Sequence, residues 1–240
     1  MVVAGLDIET VRSVGAAGEA WHLPGGAQVR CTDAADGDLS DGRTGGRSER
    51  DAARRHIVDL PWATVRQVHG CGVVGVERPG DADGSEGDAL VSSQRGVALA
   101  VRTADCAPVA FASPEGIIGV AHAGWRGLSS GVVEATVAAM RARGASRIRA
   151  VLGPCIHPSC YSFSSPDLEA VAAEMGPSVR GTDAAGGPAL DLPAAVGVAV
   201  ARAGATLVDS SPTCTACSDR HWSWRARGDR QRQSTVVWRP

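Results

Sequence analysis

GVALAVRTADCAPVAFAS, from Gly96 to Ser113, is apolar at nearly every position. A strand with one wet face alternates apolar and polar residues, whereas an unbroken apolar run reads as a strand covered on both faces. The stretch therefore predicts one long strand at the centre of the fold. Apart from the terminal Ser113, its polar residues, Arg102, Thr103 and Asp105, fall together in RTADC, where Cys106 follows Asp105. A carboxylate and a thiol at such a place need an explanation.

Working outward, GIIGVAHAG (Gly116–Gly124) and ALVSS (Ala89–Ser93) read as further strands. So do ATVRQVHG and CGVVGVE (63–77), on either side of a His-Gly-Cys-Gly turn. RPGDADGSEGD (78–88) is a loop. Residues 1–31 alternate short apolar runs with turns and predict a β-meander. Residues 32–50 are polar and glycine-rich and predict a long surface loop. RDAARRHIVDL (50–60) suits a short helix. LSSGVVEATVAAMRARG (128–144) predicts the best helix of the chain, with Val132, Val133, Thr136, Val137 and Met140 on one face and Gly144 at its C-terminal cap. RIRAVLGPCI (147–156) follows as a strand. SPDLEAVAAEMG (165–176) predicts a helix with Ser165 as N-cap and Pro166 at its first position. DLPAAVGVAVARAG (191–204) predicts another. TLVDSS, HWSWR and STVVW close the chain as strands. The expectation is a mixed α/β (α+β) fold with mixed sheets covered by helices, in a single domain over residues 1–240.

Composition narrows the function classes. An apolar fraction of 44% in 240 residues is enough for a packed core. The net charge of −2 argues against a nucleic acid or an anionic membrane as partner. There is no lysine, which removes Schiff-base chemistry. No secretory signal and no run of 18 apolar residues are seen, and seven cysteines in a chain of this size suit a reduced, cytoplasmic protein.

His69, Cys106 and His122 stand at the ends of three strand-like segments. No local chelate joins them, so only the fold can bring them together. Two imidazoles and a thiolate suit zinc or copper and leave a position open for water or substrate. The same residues also suit a thiol active site, or a buried cysteine with two strand-end histidines. Asp105 is a candidate for orienting a ligand or transferring a proton. Arg126, between Gly124 and Gly127 at a helix start, is a candidate for an anion. Cys155, His157 and Cys160 in GPCIHPSCYSF read as a turn. CTAC (214–217) reads as structural, since no second CxxC completes a four-ligand set. The terminal WSWRARGDRQRQ could clamp a phosphate or stack a ring.

Together RQVHG, DALVSS, TADCAPVAF, AHAGWRG, GPCIHPSCYSF and the terminal CT…WSWRARG…RQ resemble the laccase-domain, or YfiH-like, family in order and spacing, over roughly residues 55–240. The resemblance implies that His69, Cys106 and His122 bind a catalytic zinc ion. It implies purine nucleoside phosphorolysis with phosphate as co-substrate, and adenosine deamination and methylthioadenosine phosphorolysis in the same site. It also implies a fold distantly similar to cysteine hydrolases of the deamidating-toxin type, and no protein partner. The family's older name implies a copper polyphenol oxidase, but six histidines cannot furnish a multicopper centre. A metal-free cysteine hydrolase, with Cys106 as nucleophile and His122 as base, and a role in peptidoglycan editing are the other readings. The region CTDAADGDLSDGRTGG departs from the family's usual opening phrases, and set against the resemblance this implies a different N-terminal wall of the pocket and so a different substrate preference.

Overall fold

The computed structural model describes residues 10–15, 18–41 and 46–240. Residues 1–9 and 16–17 of the expected meander, and 42–45 of the expected loop, lie outside them. The strands are β1 (Val11–Gly15), β2 (Gly18–Leu23), β3 (Ala27–Cys31), β4 (Trp62–Ala63), β5 (Val73–Gly75), β6 (Ala89–Ser92), β7 (Ala98–Thr103), β8 (Ala107–Ala112), β9 (Ile118–Ala123), β10 (Arg149–Leu152), β11 (Arg180–Thr182), β12 (Pro188–Leu190), β13 (Thr206–Ser210) and β14 (Gln233–Trp238). The helices are α1 (Arg47–Ile57), α2 (Trp125–Ser129), α3 (Val132–Arg141), α4 (Ser165–Met175), α5 (Leu192–Arg202) and α6 (Trp224–Arg227).

Two six-stranded mixed sheets carry the fold, in the orders β1-β2-β3-β14-β7-β4 and β13-β10-β8-β9-β6-β5. They share a core. Trp21, Val29, Leu99, Val101 and Val237 of the first sheet pack with Leu90, Ala110, Ile118, Val120 and Val151 of the second. The far face of the second sheet, with Val109, Phe111 and Ala121, is covered by α3, α4 and α5. The far face of the first, with Ala98, Ala100 and Val236, is covered by Leu39 and Ile57. Neither sheet leaves its central strands a wet face, and this explains why residues 96–113 show no polar alternation.

That stretch is nevertheless two strands rather than one. β7 pairs with β14 in the first sheet, and β8 pairs with β9 and β10 in the second. The chain changes sheet at Ala104–Asp105–Cys106, where Asp105 takes φ 104°. An apolar run is identical whether it stays in one sheet or crosses to another, so the apolar residues on either side do not show the crossing. The polar residues clustered in RTADC mark the place.

Other expectations shift in smaller ways. The helix of 128–144 starts earlier and in two pieces, because Gly131 at φ 82° separates α2 from α3. All five residues of the expected face are buried. The cap of α4 is Ser164, not Ser165: its hydroxyl accepts from the Asp167 N–H. HWSWR is not a strand, since Trp224–Arg227 form the helical turn α6. Of ATVRQVHG only Ala63, the end of β4, is strand, and His69 lies in a bend with φ 61°. The loop of 32–50 contains a 3-10 turn, a buried Leu39 and the start of α1. β11 and β12 were not expected. Among the described residues no helix is long and apolar enough to cross a membrane.

Candidate metal centre and its cleft

Three separate pieces of chain deliver the three candidate ligands. Cys106 follows the crossing between sheets, His122 lies near the end of β9, and His69 sits on the loop between β4 and β5. Antiparallel pairing sets Pro108 opposite His122 and Ala107 opposite Ala123, which brings the ends of β8 and β9 together. One imidazole nitrogen of each histidine and the Cys106 sulfur all lie within 4.8 Å of one another. The two imidazole rings meet edge to face, 4.7 Å between centroids. His122 is buried, Cys106 half-buried and His69 exposed, so the group opens to solvent on the His69 side.

Asp88 builds the site from beneath. It is fully buried. Its carboxylate accepts from Nδ1–H of His122 at 2.8 Å and from the backbone N–H groups of Val68, His69 and Gly70 at 3.2, 2.9 and 2.7 Å. One side chain thus fixes the tautomer of His122, leaving Nε2 for a cation, and holds the bend that presents His69. Burial alone would raise the Asp88 carboxyl, but hydrogen bonds from His122 and from the N–H groups of Gly70 and His69 hold it below the ordinary range. Burial likewise opposes charge on Cys106 and His122. The charge and hydrogen bonds of the histidines nevertheless draw the Cys106 thiol down, and the Cys106 sulfur and Asp88 push His122 up. Without a cation the three groups favour a thiolate beside an imidazolium.

Glycines make room for this convergence. A Cβ at Gly124 would stand 3.0 Å from the Cys106 sulfur and 3.2 Å from Cδ2 of His69. A Cβ at Gly127 would stand 3.1 Å from the Gly70 carbonyl. The AHAGWRG motif therefore places its glycines where segments carrying candidate ligands touch.

The three side chains line a cleft of roughly 820 Å³, shared with Arg66, Arg102, Arg230, Arg232 and Trp224. Arg102 is anchored: it is ion-paired to Asp41 and donates to the Val65 carbonyl at 2.8 Å. Burial, and the charge of Arg232 nearby, lower Arg102 to about 10. Two guanidinium groups lining one cleft favour an anion in it. The C-terminal tryptophan-arginine cluster thus belongs to the same cleft as the ligands. Trp224 is 56% exposed there.

Asp105 and Arg126 are placed otherwise. Asp105 is buried, and its oxygens are taken by the Thr215 hydroxyl and the Arg225 N–H, both at 2.7 Å. It holds the crossing between sheets rather than lining the cleft. Arg126 is exposed on the short helix α2, with its guanidinium 4.3 Å from the Trp125 ring centroid, and is not among the cleft residues. Asp88 escaped notice because it reads as the last residue of a glycine-rich loop. The clue was its place directly before the wholly buried β6, where a carboxylate needs partners.

The sequence model of the family described as multi-copper polyphenol oxidoreductase laccase matches residues 40–240. A purine nucleoside phosphorylase of Streptomyces griseus is 41% identical over 201 residues, 80% of this chain and 80% of its own. An adenosine deaminase from an unknown prokaryotic organism is 34% identical over 168 residues, 63% of this chain and 64% of its own. The crystal structure of a Neisseria meningitidis protein superposes with a TM-score of 0.79 at 26% identity, covering 95% of this chain and 98% of that one.

Proposed function

The chain belongs to the multi-copper polyphenol oxidoreductase laccase family, and from its site we propose a zinc-dependent enzyme of purine nucleosides, acting on them as one catalytic domain over residues 1–240. Its reactions would be phosphorolysis, including that of methylthioadenosine, and adenosine deamination. The observation that carries this reading is the convergence of His69, Cys106 and His122 over the buried Asp88, in an arginine-lined cleft. Names borne by relatives support the substrate class.

The residues fit one ion. Two imidazoles and a thiolate make a three-ligand set for zinc with an open side, and Asp88 supplies the orienting partner that such a histidine ligand needs. A bound zinc would supply Lewis-acid activation at that open side. The set does not fit a multicopper centre: six histidines in the whole chain are too few. For phosphorolysis, Arg102, Arg230 and Arg232 would hold the phosphate, and Trp224 would stack on the purine. A phosphate oxygen then bonds to C1′ as the bond from C1′ to the purine nitrogen breaks, and the purine leaves with the electron pair and takes up a proton. In deamination, water adds at C6 and ammonia leaves. Asp105 would act as a positioning residue, keeping the turn that carries Cys106 in its left-handed conformation.

A second reading has one specific observation behind it. Cys106, His122 and Asp88 also form a thiolate, an imidazolium and an orienting carboxylate, the arrangement of a cysteine hydrolase. One experiment separates the two. Purified protein is assayed for zinc, for adenine and ribose 1-phosphate from adenosine and phosphate, and for ammonia from adenosine. The zinc reading expects activity that chelation abolishes and zinc restores, with His69→Ala inactive. Full activity in metal-free protein would defeat it.

A further inference from the structure

CTAC lacks a second CxxC in sequence, but the fold supplies a third thiol. Cys160 ends the 3-10 turn Pro158–Cys160, and Cys214 and Cys217 bracket the turn after β13. Their three Sγ atoms lie within 4.8 Å of one another, and Cys160 and Cys217 are 3.1 Å apart. We propose that Cys160, Cys214 and Cys217 form a second, tri-thiolate metal site that takes a zinc ion, separate from the His69–Cys106–His122 centre.

The geometry supports a cation in three ways. Zinc–sulfur bonds of about 2.3 Å in a tetrahedron space the sulfurs by about 3.8 Å, and the three sulfurs, 3.1 Å apart for Cys160 and Cys217 and none more than 4.8 Å from another, reach that spacing with changes of about 1 Å or less. A disulfide between Cys160 and Cys217 needs only two sulfurs and gives no reason for Cys214 to point at them. The Cys214 sulfur also accepts the backbone N–H of His157 at 3.4 Å, a contact that fixes its direction toward the other two and is kept when the sulfur is a thiolate. The fourth position is left to water, since Cys217 is exposed.

The centre would have a structural task. The turn it closes contains Thr215, whose hydroxyl holds Asp105 and whose N–H donates to the Cys155 carbonyl at 3.0 Å. Arg227 reaches the carbonyls of Thr215 and Ala216 from α6. A cation shared by Cys160, Cys214 and Cys217 would staple this turn to the 3-10 turn at Pro158–Cys160, and so brace the crossing that carries Cys106.

The test uses the full chain, purified without oxygen, loaded with zinc and desalted. In a His69→Ala/Cys106→Ser background the first centre is removed, and about one zinc per chain should remain. Adding Cys217→Ser, at an exposed position that serine fills without strain, should remove that zinc. Cobalt(II) in the same background should show sulfur-to-cobalt charge-transfer absorption, lost on Cys160→Ser. Alkylation of Cys217 should slow at least ~10-fold when zinc is bound. A zinc-free double variant would overturn the proposal. So would zinc content indifferent to Cys217→Ser, or a Cys160–Cys217 disulfide mapped in the zinc-loaded protein.

Discussion

Asp88 accepts the Nδ1–H of His122 at 2.8 Å while the same carboxylate takes the backbone N–H of His69 at 2.9 Å. One buried charge therefore positions two of the three candidate ligands. Asp88→Asn keeps the shape but cannot accept all four hydrogen bonds. Its zinc affinity should fall about 10–100-fold, measured by competition with a chelator, with the circular dichroism spectrum retained. An affinity equal to that of the native protein would detach Asp88 from the centre.

The thiolate–imidazolium pair has a pH signature in chelated protein. A thiol whose pKa is lowered stays reactive to more acid pH than an ordinary cysteine, and loses reactivity only as pH falls through its own lowered value. Cys106 should therefore be alkylated by iodoacetamide at a nearly constant rate through neutral pH, and zinc should suppress the reaction. Asp88→Asn withdraws support from the His122 cation, so the Cys106 profile should move toward higher pH. Peptide mapping across the pH range decides it; a Cys106 profile like that of a free thiol would refute the pairing.

Asp105 holds a backbone conformation with φ 104° by two hydrogen bonds of 2.7 Å. Asp105→Ala removes both acceptors and keeps the strained backbone. A loss of about 2–4 kcal/mol in unfolding free energy is expected, from one to two buried donors left unpaired. Denaturant titration measures it. Thr215→Val should lose less, because only one of the two bonds goes.

The arginines divide by position. Arg230 lines the cleft, whereas Arg126 lies on Trp125 outside the cleft lining. Arg230→Ala should raise the KM for phosphate about 10-fold or more, the worth of one charge-assisted contact. Arg126→Ala should move it less. Steady-state kinetics with phosphate varied gives the answer, and a larger effect at Arg126 would return the anion to the helix start.

Local physics made much of this protein legible before any fold was known. Continuous apolar runs announced sheets with both faces covered, and the spacing of Val132, Val133, Thr136, Val137 and Met140 announced the buried face of α3. His69, Cys106 and His122 stood out because few other residue types carry that chemistry. Tertiary structure alone decided the rest. Hydropathy records that a residue is buried but not which sheet buries it, so the polar cluster RTADC marked a break at Asp105 without showing that the chain changes sheet there. Asp88 and His122 are 34 positions apart, and Cys160 and Cys217 are 57 apart. No periodicity links residues at such separations. They meet because two sheets pack face to face and the chain crosses between them, and that packing free energy is a property of the whole core rather than of any segment.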